Sequence, residues 1–216
     1  VTAKTTAKSK LGQKSSRELI LEVAMSLFTQ KGYEGTSIDD IREVAGFKSK
    51  ASLYNHFKNG KEEISNALTT RILAQIEQVI LRAYQSANSN PLAQFMAVFQ
   101  AYIQWGLTHR QEFAFRIIKA QEIRMLTGQY DYLSTHPSLI YPLIEKIIKQ
   151  LRTEKYPVRQ IADAALFHML IGAIARAVID RDAFGELGVP EQVEQVLQVC
   201  LGILFSEPIQ DRSKFL

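Results

Sequence analysis

Residues 36–57 read TSIDDIREVAGFKSKASLYNHF, and the order of residue types in this stretch decides the fold. Ser37 followed three positions later by Asp40 makes a capping box, with Asp39 and Asp40 in the first turn, where the helix dipole favours acids. Ile38, Ile41, Val44 and Ala45 then recur at helical period, which predicts a short amphipathic helix with one apolar stripe. Gly46 ends it, because the residue after a helix commonly takes a left-handed backbone that glycine adopts without steric cost. A second helix, roughly Ser49 to Phe57, has only Leu53 and Phe57 to bury, with Tyr54 at the edge. The remaining positions are Lys48, Ser49, Lys50, Ser52, Asn55 and His56. A helix this short and polar is not held by its own propensity. Presenting cations and hydroxyls to a polyanion explains its composition. Helix, glycine turn and polar second helix together read as a helix-turn-helix, whose second helix enters the DNA major groove while the first crosses the backbone. A surface helical hairpin with a solvated face is the bland alternative.

Upstream, Ser15-x-x-Glu18 forms another capping box, and Leu19, Ile20, Val23, Ala24, Leu27 and Phe28 make a core-facing stripe up to Lys31-Gly32. Tyr33 is placed to close that small core. Ala24, Phe28, Gly32-Tyr33, Thr36-Ser37, Ile38, Ile41, Ala45-Gly46, Lys50, Leu53-Tyr54, His56-Phe57 and Lys61-Glu62-Glu63-Ile64 occur in order across residues 16–64. In this the stretch resembles the DNA-binding domain of the tetracycline-repressor-like (TetR/AcrR) family of bacterial transcription regulators. The chain departs from the commonest family pattern by one extra residue between Gly46 and Tyr54 and one between Phe57 and Lys61. Gly60 can absorb the second.

Charge agrees with a nucleic-acid-binding N-terminus. Residues 1–60 hold ten of the 26 Lys and Arg but six of the 22 Asp and Glu, so the whole net charge of +4 lies there. Residues 1–15 are rich in Lys, Ser, Thr and Ala and read as a disordered basic arm, free to follow phosphates or to remain a solvated tail. The single cysteine, Cys200, excludes an intrachain disulfide and suits a reducing cytoplasm; between Val199 and Leu201 it reads as a buried small apolar residue. No uninterrupted apolar run approaches membrane-spanning length, so neither a membrane segment nor a signal peptide is expected.

Beyond residue 60 every segment keeps helical period. A helix from Asn59 or Gly60 to about Asn88 carries Ile64, Leu68, Ile72, Ile76, Val79, Ile80 and Ala83. Further helices are expected over Pro91–His109, apolar on nearly all faces, about Glu112 to Met125 (with Phe113, Phe115, Ile117 and Ile118), and Pro137 to Lys155, with residues 126–136 a loop. The last two are Val158–Asp182, rich in small residues (Ala162, Ala164, Ala165, Gly172, Ala173, Ala175 and Ala177), and Pro190 to about 205, with Val193, Val196, Leu197, Cys200, Leu201 and Leu204. The fold class is therefore all-α, about nine helices. The boundaries are a disordered arm (1–15), a helix-turn-helix domain (16–60) and a helical effector-binding and dimerisation domain (61–216). In the family that the stretch resembles, the last two helices pair across a dimer and the helix entering the larger domain relays ligand binding.

For DNA, the resemblance and the residue chemistry together assign Thr36, Tyr54, His56 and Lys61 to phosphates, and Ser49, Lys50, Ser52 and Asn55 to positions nearest the bases, with Lys48 able to join them. For a small effector, apolar or amphipathic, the polar and aromatic candidates are Tyr102, Trp105, His109, Arg116, Glu122, Tyr130 and His168. Taken singly, each is as simply core or a surface ion pair. The four histidines, His56, His109, His136 and His168, have no second ligand one turn away, so no metal or cofactor is expected. No nucleophile-base spacing or glycine-rich phosphate loop is present. Arg176 and Asp180, at i and i+4, read as a helix ion pair.

These observations predict a cytoplasmic, homodimeric regulator, a repressor released by effector, binding a pseudo-palindromic double-stranded operator. The dimer would form through helices 158–182 and 190–205. The rivals are an effector-independent helical DNA-binding protein whose larger domain only dimerises, and, remotely, an all-α enzyme with a fused basic tail.

Overall fold

The computed structural model describes residues 15–127 and 138–209, and these form nine α-helices with no named strand among them. In chain order they are α1 (Ser16–Lys31), α2 (Ile38–Val44), α3 (Lys50–Tyr54), α4 (Lys61–Ser86), α5 (Pro91–Thr108), α6 (Arg110–Thr127), α7 (Ile140–Thr153), α8 (Asp163–Ile179) and α9 (Val189–Leu204). The expected arm, the loop about residue 130 with Tyr130 and His136, and the Pro137 helix start lie outside the described residues. Chain packing separates two units, Val1–Leu68 and Thr69–Leu216.

In the first unit the caps do what the sequence requires. Ser15 and Ser37 each accept a hydrogen bond from the backbone of the residue three positions on, while the Glu18 and Asp40 carboxylates accept from the cap residues' own backbone amides. Gly32, Gly46 and Gly60 turn the chain at φ 76°, 76° and 59°, a region closed to most side chains. Ile20, Leu21, Ala24, Met25, Leu27, Phe28, Ile41, Leu53, Phe57, Ile64 and Leu68 make the core. Leu19 and Val44, expected in the core, are 37% and 62% exposed, Val23, Ile38 and Ala45 are only half-buried, and Leu21 and Met25 are buried instead. The apolar period marks a stripe on each helix but does not by itself set which edge of the stripe is buried.

The second unit is built around α5, which is packed by α6, α7, α8 and α9. Asn90 caps α5 through the Leu92 and Ala93 amides with Pro91 in its first turn. Phe95, Phe99, Tyr102, Ile103, Trp105 and Leu107 of α5 are buried, as its apolar residues on every face demand. Ile118 is 52% exposed on α6 and leaves the expected core. Cys200 is buried, and burial pushes its thiol up to about 12. The expected helix start at Val158 is wrong. Residues 158–162 are non-helical: Val158 pairs in one isolated antiparallel bridge with Phe205, and the Arg159 amide bonds the Leu204 carbonyl at 2.9 Å. Arg152 gathers this connection. Its guanidinium donates to the carbonyls of Arg159 (3.2 Å) and Ile161 (2.8 Å) and pairs with Asp163 at 3.0 Å. The helix that follows ends at Ile179, and Asp182 falls in a 3₁₀ turn, Arg181–Phe184. Arg176 and Asp180 do form the ion pair that their spacing suggests.

Candidate nucleic-acid interface

The α2–α3 turn is fixed from both ends. The Gly46 and Phe47 amides bond the carbonyls of Glu43 and Arg42 at 3.0 Å each, and Arg42 donates to the Phe47 carbonyl at 3.0 Å. Ser49 then caps α3: its hydroxyl accepts from the Ser52 amide at 3.4 Å and lies 3.2 Å from the Ser52 hydroxyl. Leu53 and Phe57 are both fully buried and anchor the short helix from beneath. Five residues of helix held by two anchors leave one outer face.

On that face Lys48, Ser49, Lys50, Tyr54, Asn55 and His56 are exposed and Ser52 is half-buried. The arrangement is a cluster of cations, amides and hydroxyls with no acid on α3 itself. Tyr54 is 42% exposed and lies over Gly60, where an added Cβ would meet its ring at 3.3 Å. Gly60 therefore satisfies two demands at once, a left-handed turn and close approach of the Tyr54 ring. This is how the longer Phe57–Lys61 turn fits.

Two of the residues expected at phosphates are engaged inside the domain. Thr36 is 1% exposed, and its hydroxyl donates to the Gly32 carbonyl at 2.8 Å, so that side chain closes the α1–α2 turn. Lys61 donates to the Tyr33 carbonyl at 2.9 Å, lies 4.2 Å from the Tyr33 ring centre and reaches Glu34 at 3.8 Å. Its ammonium fastens α4 to the turn after α1. Sequence reasoning missed these roles because both partners are backbone carbonyls, which no residue type announces. It missed equally that Lys50 pairs with Asp39 at 2.5 Å and Lys31 with Asp40 at 3.2 Å. Asp40 is held down at about 2, first by the Ser37 hydroxyl, then by the Ser37 amide and Lys31.

The described effector candidates fall on α5, α6 and α8, with His109 between the first two. Tyr102, buried on α5, accepts a hydrogen bond from Arg116 Nη1 of α6 at 3.2 Å, and burial pushes its phenol up while Arg116 opposes the shift. Arg116 Nε is buried and makes no hydrogen bond among the described residues. Trp105 is buried and stacks on His109 with ring centres 5.0 Å apart, and His109 Nδ1 lies 3.1 Å from the Trp105 carbonyl. Glu122 pairs with Lys119 at 3.4 Å. His168 is exposed on α8, with its ring 5.5 Å from that of Phe167. Tyr102, Trp105 and Phe113 share one aromatic cluster. No group of three His, Cys, Asp or Glu could hold a metal ion among the described residues. No helix there is long and apolar enough to cross a membrane.

Residues 20–68 match the family described as bacterial regulatory proteins, tetR family. The biofilm operon icaADBC negative transcriptional regulator IcaR of Staphylococcus epidermidis is 50% identical over 48 residues, 22% of this chain and 25% of that protein. The transcriptional repressor KstR2 of Mycolicibacterium smegmatis is 28% identical over 126 residues, 56% of this chain and 57% of that protein. The chain thus spans from a quarter to just over half the length of these relatives. Among solved structures, the ketosteroid transcriptional regulator KstR2 of Mycobacterium tuberculosis superposes with a TM-score of 0.73 at 22% identity, covering 91% of this chain and 98% of that one. AibR in complex with isovaleryl coenzyme A and operator DNA gives 0.69 at 23% identity, covering 88% and 98%. At these identities the likeness establishes the all-α architecture, helix-turn-helix domain first.

Proposed function

We propose that the chain, whose residues 20–68 match the tetR family of bacterial regulatory proteins, is a transcriptional regulator of that family, a ligand-responsive repressor that binds a pseudo-palindromic operator as a dimer. The observation that carries this reading is the outer face of α3: two buried anchors, Leu53 and Phe57, beneath an exposed set of Lys48, Lys50, Tyr54, Asn55 and His56. Lys48 and Lys50 match guanine O6 and N7, Asn55 matches adenine, and Tyr54 and His56 match phosphate oxygens. Ser49 and Ser52 set the helix start. Thr36 and Lys61 shape the domain from within.

Dimerisation is assigned to α8 and α9. Their outer surfaces expose Met169 and Val199, and a Cβ added at Gly172 or Gly202 would meet nothing within 4 Å. Small residues beside exposed apolar ones suit close approach of a second copy, and two reading helices must then lie about 34–36 Å apart, or a multiple, to meet successive major grooves. Gly172→Arg should leave the protomer folded and abolish the dimer in sedimentation. The effector is assigned to the Tyr102–Trp105–Arg116 region, as a small apolar or amphipathic molecule whose differential affinity for two conformations would release DNA. The half-buried Arg116 with an unmatched Nε supports a polar group on that molecule.

The test is titration of the purified chain against duplex from its own upstream region and against random duplex, across salt. Tighter binding to the upstream duplex, with a steep salt slope from several phosphate contacts, establishes a local regulator. No binding to any duplex at low salt would overturn the reading.

A further inference from the structure

Lys50, the first residue of α3, does not present a free cation: its ammonium lies 2.5 Å from Asp39 Oδ2 on α2. Asp39 is itself held. Its other carboxylate oxygen is 3.4 Å from Arg42 Nε, and Arg42 reaches on to the Phe47 carbonyl at 3.0 Å. A continuous path of ion pairs and a hydrogen bond thus runs from the turn to the reading helix. The hydrogen bond from Lys50 holds the Asp39 carboxyl below the ordinary carboxylate range, with a smaller pull from Arg42, so the group is ionised at neutral pH. Both ends of the Asp39–Lys50 pair are about half exposed, at 49% and 57%, and DNA therefore has access to both.

An ammonium sees much the same kind of acceptor in a carboxylate oxygen as in a phosphate oxygen or guanine O6. Resting on the reading of α3 as the DNA-reading helix, we propose that Asp39 is a specificity-determining residue that competes with DNA for Lys50. On DNA that offers only phosphates, Lys50 would exchange one anionic oxygen for another, and Asp39 would keep only Arg42, 3.4 Å away, as a partner close to the DNA backbone. Such an exchange gains little. Where guanine presents O6 and N7 together, the exchange brings two acceptors, and Lys50 leaves Asp39. The acid thereby suppresses binding to the wrong sequence more than to the right one, which is how an unfavourable charge raises selectivity.

The probe is a labelled random-sequence duplex, titrated with the wild-type chain, Asp39→Asn, Lys50→Ala and the double variant. Asp39→Asn is expected to tighten binding about three- to tenfold at 0.1 M salt and to steepen the salt slope by about one phosphate contact. In the Lys50→Ala background the same substitution should gain less than about twofold. Selection from randomised duplexes should then show a guanine preference for the wild type that Asp39→Asn weakens. An equal gain with and without Lys50 overturns the proposal, since Asp39 would then act only as a diffuse repulsive charge. So does no gain. If none of the four proteins binds duplex, the DNA-binding reading itself fails and this inference falls with it. Should Asp39→Asn lose its helical circular dichroism, Asp39→Ser carries the same comparison.

Discussion

Two connections between consecutive helices in this chain solve the same problem by opposite means. Between α2 and α3 the turn is made by residues that act on their own neighbourhood: Gly46 at φ 76°, Ser49 as a cap, and Arg42 closing on Phe47 five positions away. Between α7 and α8 the local closure is at the α7 end, where the Lys155 and Tyr156 amides bond the Arg152 and Leu151 carbonyls at 3.0 Å each. Neither end of that connection has a side-chain cap, since the α8 N-cap is Ala162, and its left-handed residue is Lys155, at φ 62°, rather than a glycine. What holds it is distant chemistry, Arg152 on two carbonyls and an acid, and Val158 paired with Phe205. The first turn is specified by its own sequence. The second is specified only once the rest of its unit has folded.

The sharpest break in this contrast is Arg152→Ala. It removes two charge-assisted hydrogen bonds and the Asp163 pair at a partly buried site, and should cost about 2–4 kcal/mol in denaturant unfolding of the second unit. A cost under about 0.5 kcal/mol would show that the Val158–Phe205 pairing suffices alone. Next is Gly46→Ala. Open space surrounds the site, so the whole effect comes from a left-handed backbone, about 1–2 kcal/mol, read as a lower melting temperature of the first unit. Ser37→Ala follows, removing the capping box for about 1 kcal/mol. The smallest expected effect has the opposite sign: Lys155→Gly should stabilise the second unit by about 0.5–1 kcal/mol by relieving its positive φ. If it destabilises instead, the lysine side chain has a role that outweighs its backbone strain.

Acid distinguishes the two regions further. Asp40 has its carboxyl lowered from 3.8 to about 2 by Ser37 and Lys31. A depressed carboxylate contributes stability that is fully present above the unfolded value and lost as pH falls through the folded one. The capped first unit should therefore weaken between about pH 4 and pH 2. Asp40→Asn should flatten that part of an acid titration followed by circular dichroism.

The legible parts of the fold follow this division. The capping boxes at Ser15 and Ser37, the stops at Gly32 and Gly46 and the anchors Leu53 and Phe57 could be read because each depends on residues within one or two turns. The nine-helix architecture could be read from period, since α5 and α9 carry unbroken apolar repeats. The phase of α1 and α2 could not, and Leu19 and Val44 are exposed as a result. Residues 158–162 were unreadable for a different reason: their partner, Phe205, is more than forty positions away. At the candidate interface the residue types on α3 were legible, but their engagements were not. Thr36, Lys61 and Lys50 are each claimed by an intramolecular partner, and hydrogen bonds to carbonyls or ion pairs between helices leave no periodic mark.

The brevity of α3 bears on how such a chain diverges over generations. Its duties are separated by position: Ser49 starts the helix, Leu53 and Phe57 fasten it, and Lys48, Ala51, Asn55 and His56 stand exposed without any of those tasks. Substitution at the exposed positions alters the outer surface while the interior stays intact. A lineage can therefore explore new reading surfaces by single steps, each close to neutral for stability, with Lys50 as the exception because its change also takes one of the two cations from Asp39.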